Sequence, residues 1–135
     1  MNSSVQNSKS YSNAGLSLVR IITGFFLIYH GWEIFSETKM NEYLGWDVFK
    51  NSAGKAIIYT GKVAELISGI LLVIGLFTRL AAIIVFVTMA AIAFFVGHGK
   101  IWYEDQHPFL FVLLAMVFFF IGPGKFSADN LLMKK

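Results

Sequence analysis

The chain has 135 residues, of which 56% are hydrophobic, 16% aromatic and only 14% charged. A water-soluble domain of this size carries about a quarter charged residues and has too little interior to hide so much apolar surface, so lipid is the solvent for much of it. The net charge of +3 comes from 11 scattered Lys and Arg that form no basic stripe, which argues against a nucleic-acid partner. The absence of cysteine excludes disulfides, thiolate metal sites and a CxxC redox relay.

The chain opens on MNSSVQNSKSYSN, a polar tail over 1–13. The apolar run behind it lacks a small-residue cleavage site, so it is expected to remain as a span rather than leave as a signal peptide. Four apolar runs follow, at about 16–35, 56–77, 80–97 and 104–121. About 20 residues at 1.5 Å each cross the hydrocarbon core, which the first two runs achieve outright; Gly97, Ile101, Trp102 and Tyr103 extend the shorter pair. Continuous apolar runs without a period of two predict helices, giving an all-α, antiparallel, up-down four-helix bundle in the membrane.

Between the first two runs, Glu37 to Lys55 mixes balanced charge with Tyr43, Trp46 and Phe49, the composition of an interfacial outer loop. Phe77, Thr78 and Arg79 join the second and third runs, which predicts a tight helical hairpin. After the fourth, GPGKFSADN reads as a helix stop and turn, with Gly122 and Gly124 as structural residues at the head of a 122–135 tail.

Four spans put both termini on one side. Lys9, Arg20, Arg79, Lys125, Lys134 and Lys135 lie there, against Lys39, Lys50, Lys55 and Lys100 on the other. The bias predicts a multi-pass protein of the inner (cytoplasmic) membrane with cytoplasmic N- and C-termini.

Ionisable groups in a bilayer cost several kcal/mol unless paired or facing a cavity, so Arg20, His30, Glu33, Lys62, Glu65 and His98 are the informative residues. Arg20, Thr23, Gly24, Leu27, His30 and Gly31 share one helical face; Gly61, Glu65, Ser68, Gly69 and Leu72 share another. Counting along each helix places His30 ~21 Å and Glu65 ~18 Å from the cytoplasmic end, nearly level. Lys62 sits one turn further out, and His98 lies near the outer surface. Glu65 has two readings: a proton-accepting or ligand-orienting carboxylate in a dry pocket, or an ion-pair partner of Lys62 or Arg20. His30 is either a ligand contact or an interhelical hydrogen-bond donor. Arg20 and Arg79 either clamp an anion or snorkel to lipid phosphates, and Asp129 is expected to pair with one of them. The unequal depths of His30 and His98 argue against bis-histidine haem, and His98, Glu104, Asp105 and His107 lack metal-site spacing, so no metal is expected.

These features together resemble the DoxX family of small four-helix bacterial membrane proteins. The likeness rests on Arg20 with Gly24, His30-Gly31, Glu65 with Gly69, LVIGLFTR over 72–79, His98, and GPGKFSAD over 122–129. The resemblance implies an association with redox enzymes at the cytoplasmic membrane, since relatives include the membrane subunit of a thiosulfate:quinone oxidoreductase.

Two functional readings follow. In the first, the chain is a membrane subunit that binds a quinone-like apolar ligand, with no covalently bound cofactor, beside His30, Glu65, Lys62, His98 and Arg20. Electrons then come from a redox partner protein, because no motif here binds flavin, haem or an iron-sulfur cluster. In the second, the chain is a non-enzymatic scaffold or anchor that holds a partner through the Phe-rich fourth helix. Whether it is an enzyme, and whether it forms a homo-oligomer, both readings leave open.

Overall fold

The computed structural model describes residues 3–134 and is all-helical in its regular elements. Helix α1 (Ser3–Trp32) passes through a single 3₁₀ turn (Glu33–Phe35) into a short outer helix α2 (Glu37–Leu44). A second 3₁₀ turn (Asp47–Phe49) leads to α3 (Gly54–Ile74) and then α4 (Thr78–Ala91), which continues as a π-helical segment (Ile92–Val96). Helix α5 (Gln106–Ile121) and a short tail helix α6 (Ala128–Met133) complete the chain. Residues 1, 2 and 135, the extremities of the two polar tails, lie outside the described residues.

Helices α1, α3 and α4 with its π segment are long and apolar enough to cross a membrane, and α5 is a shorter apolar helix. Together they form the antiparallel four-helix bundle that the apolar runs predict. The 30 residues of α1 extend about 45 Å, more than a hydrocarbon core of about 30 Å requires, and its polar turns before Asn13 are exposed. The polar start of the chain, as far as it is described, is thus a helical extension of the first span.

Small residues decide how α1 and α3 meet. A Cβ on Gly24 would lie 2.7 Å from the Gly69 carbonyl oxygen, and one on Gly69 would lie 2.8 Å from that of Gly24. The two backbones therefore touch, which only glycine at both positions permits. Below this crossing, Leu27 and Leu72 join Ala81, Ala82, Val85, Phe111, Ala115 and Phe118 in the main core. Helix α5 buries Phe111, Val112, Ala115 and Phe118 and leaves Phe120 and Ile121 exposed.

The hairpin between α3 and α4 turns through Gly75, Leu76 and Phe77, with Arg79 already in the first turn of α4. Gly75 ends α3 in the left-handed region at φ 73°, its N–H donating to the Leu71 carbonyl, and Phe77 follows at φ 47°. A side chain in that region is strained, and Asp129 compensates. Its carboxylate accepts from the N–H groups of Phe77 at 2.7 Å and Thr78 at 2.8 Å, capping α4 from a distant part of the chain. The expected close ion pair of Asp129 with an arginine is not formed: two backbone donors at a helix N-terminus hold the carboxylate, Arg20 feels its charge without bonding to it, and Arg79 is exposed.

Candidate functional site

At the end of the bundle that carries α2 the packing opens. Residues of α3, α4, the π segment and the loop between α1 and α3 enclose a cavity of about 420 Å³. Its walls are mainly aliphatic: Ile57 and Ile58 from α3, Val87 and Met89 from α4, Ile92 and Val96 from the π segment. π turns interrupt the regular helical face and concentrate at functional sites, and this one supplies two wall residues. Tyr43, Trp46 and Phe49 roof the cavity from the outer loop. Met40, Phe49 and Ile58 form a separate small core that fastens this roof to α3. Ile57 and Val87 flank the cavity yet are 52% and 60% exposed, so it opens sideways between α3 and α4, towards lipid.

The polar end of the cavity is a network centred on Lys62. Its ammonium donates to Glu33 Oε2 at 2.8 Å, to Glu65 Oε2 at 3.1 Å and to the His30 carbonyl at 3.2 Å. An ammonium has three N–H donors, so all are used and Lys62 is not a free anion receptor. It also lies 4.8 Å from the centre of the Tyr43 ring, a cation-π contact. The Tyr43 hydroxyl donates to the same Glu33 oxygen at 2.6 Å. Burial, reinforced by this hydrogen bond, pushes the Tyr43 phenol up to about 12, so it stays a neutral donor at physiological pH. A continuous hydrogen-bonded path thus runs from Glu65, buried in the cavity, through Lys62 and Glu33 to Tyr43 in the interfacial loop.

His30 also lines the cavity, but not through a bond to Glu65. Its ring packs edge-on to His107 with centroids 5.5 Å apart, and His107 packs on Phe111. Both histidines also border a second concavity, with Ile22, Phe25, Phe26 and Tyr29 of α1. The histidine pair is therefore the wall between an inner pocket and a groove that faces lipid.

Of the five predicted ligand-binding residues, His30, Lys62 and Glu65 meet at this cavity, whereas Arg20 and His98 do not. Arg20, with 0% exposure, donates from Nε to the Leu72 carbonyl at 2.8 Å, from one terminal nitrogen to the Phe126 carbonyl at 2.6 Å, and from the other to the Pro123 carbonyl. It ties the segment after α5 to α1 and α3, at the far end of the bundle. Gly122 and Gly124, at φ 95° and 77°, let that segment fold back; a Cβ on Gly124 would lie 2.5 Å from Ser17 Oγ. His98 is exposed in a turn that Asp105 builds by accepting from the N–H groups of His98 and Lys100. Among the described residues, no three His, Cys, Asp or Glu side chains converge as a metal set.

Sequence reasoning gave too little weight to Glu33, Tyr43 and His107. Glu33 stands three residues after His30, one turn along the same face, which is a legible signal. Tyr43 and His107 reach the site only through tertiary folding.

The profile of the DoxX family matches residues 15–98, which take in α1 from Gly15 onward, α2, α3 and α4 with its π segment. The chain belongs to the DoxX family. The matched region holds Lys62, Glu65, Glu33 and Tyr43 and ends before α5 and GPGKFSAD. A protein of Haemophilus influenzae (strain ATCC 51907 / DSM 11121 / KW20 / Rd), described as uncharacterized, is 31% identical over 102 residues, covering 73% of each chain. No solved structure matches.

Proposed function

We propose that this DoxX-family membrane protein is the membrane subunit of a redox system and takes a quinone-like apolar ligand into the cavity between α3 and α4. The observation that carries the reading is the combination of an aliphatic chamber, open sideways to lipid, with an ionic network closed at one end. A quinone is stored in lipid, needs an apolar slot, and requires a donor near a carbonyl and a proton path when reduced. Glu65 offers the proton exchange, the Lys62 and Glu33 pair links it to Tyr43, and His30 and His107 offer a further polar edge. Electrons come from a partner protein, because the chain has no cysteine and no flavin or haem motif. In this reading the protein sits in the inner (cytoplasmic) membrane with both termini cytoplasmic, so the Tyr43 end of the path faces outwards.

The test is purification in mild detergent followed by lipid extraction and quantification of quinone per chain, for wild type and Glu65→Gln. A stoichiometric quinone that falls several-fold in the variant supports the reading. A stoichiometric protein partner with no quinone in either sample overturns it and leaves the anchoring role.

A further inference from the structure

Three glycines of α1 and α3 are explained by the crossing of the two helices, and Gly61, which lines the cavity, is not. At Gly24, Gly31 and Gly69 an added Cβ would come within 2.8 Å of backbone atoms on the facing helix, so close packing explains them. At Gly61 an added Cβ would meet nothing within 4 Å. Gly61 is half-buried, at the border between the buried stripe of α3 and the side that opens towards lipid at Ile57. Counting 100° per residue, it is 20° from both Ser68 and Leu72, whose exposures are 1% and 0%, and 40° from Glu65. Gly61 therefore extends the buried stripe of its helix into the turns that line the cavity. It sits beside Lys62 and one turn from Glu65.

Glycine is the poorest helix former after proline, and no backbone approach requires it here. What the missing side chain does leave is room against the helix backbone beside the ionic network. A flat ring lying on a backbone needs its atoms about 3.5–4.0 Å away, and a methyl group would intrude on that space.

We infer that Gly61 is a specificity-determining residue: it forms the floor of a ring slot and sets how wide a planar head group the cavity admits next to Glu65. This rests on the quinone-like reading and deepens it, since it assigns the ring rather than the tail to the slot at Gly61 and makes ring width the selected property. On this reading a side chain at Gly61 takes room from a fused two-ring quinone before it takes room from a single ring.

The experiment uses the full chain in phosphatidylcholine nanodiscs with two probes of equal tail length, a decyl-tailed benzoquinone and a decyl-tailed naphthoquinone. Gly61→Leu is expected to weaken the naphthoquinone about tenfold or more and the benzoquinone less than about threefold, the scale on which a few carbons discriminate in an apolar pocket. Gly61→Ala, which favours the helix, guards against a folding artefact: its ligand-free melt should equal or exceed wild type, and its loss should again fall mainly on the naphthoquinone. Equal losses on both rings, or no loss on either, would overturn the role of Gly61 while the quinone site stands. Failure of wild type to bind either probe would overturn the site and the slot together.

Discussion

Lys62 holds two carboxylates at once, and that arrangement decides what each substitution does. In Glu65→Gln the ammonium keeps Glu33 and the His30 carbonyl, so the cation is not stranded. Stability in detergent should change by less than about 1 kcal/mol, while retained quinone falls. In Lys62→Met the opposite holds, because two carboxylates with side chains only 18% and 5% exposed lose their shared cation. A cost of about 3 kcal/mol or more is expected. Thermal melts of the two variants side by side check the contrast. A larger loss for Glu65→Gln than for Lys62→Met would make Glu65 a structural partner. At the roof, Tyr43→Phe removes the donor to Glu33 but keeps the ring under Lys62. It should cost about 1 kcal/mol in the same melt, and a larger loss would mean that the hydroxyl anchors the whole outer loop.

Among the elements, the inner end of the bundle is locked by two residues with different jobs. Arg20 supplies hydrogen bonds to three carbonyls, on α3 and on the chain after α5, so Arg20→Met leaves three acceptors without their donor. We expect a loss of about 3 kcal/mol or more and proteolytic release of the tail. Asp129→Ala removes a cap shared by Phe77 and Thr78, where the backbone at Phe77 is already left-handed. A loss of about 1–2 kcal/mol is expected. Chemical-denaturation or thermal melts of both variants test the ranking, and an Asp129→Ala loss larger than that of Arg20→Met would put the weight on the hairpin instead. Both changes lie far from the cavity, so quinone content per folded chain should be unchanged. That invariance separates the lock at one end of the bundle from the site at the other.

Across the whole molecule, the first turns of α1 and the tail helix α6 share one end, because Phe126 and Gly124 pack on Ser17, while the outer loop lies at the opposite end. With the native chain free of cysteine, single cysteines at Ser10 and Asn51 report this directly. A membrane-impermeant thiol reagent added to intact cells should label the Asn51 variant and not the Ser10 variant. Labelling of both from outside would refute the shared cytoplasmic termini. The sequence by itself determined the solvent, the helical class and the two polar stripes, because hydrocarbon forbids unpaired backbone and makes every buried charge conspicuous against 56% hydrophobic residues. It also marked His30 and Glu65, nearly level when counted along their helices, and Lys62 one turn further out. What only the tertiary structure decided was partnership. Asp129 caps a hairpin rather than meeting an arginine, Arg20 is consumed by carbonyls, and Tyr43 and His107 arrive at the cavity from segments whose depth and direction no periodicity encodes. The reason is physical: local pattern fixes which face of a helix is buried, but which atoms meet across that face depends on the angle and spacing between helices. Those are set by glycine contacts such as Gly24 on Gly69, and at Gly61 by their absence.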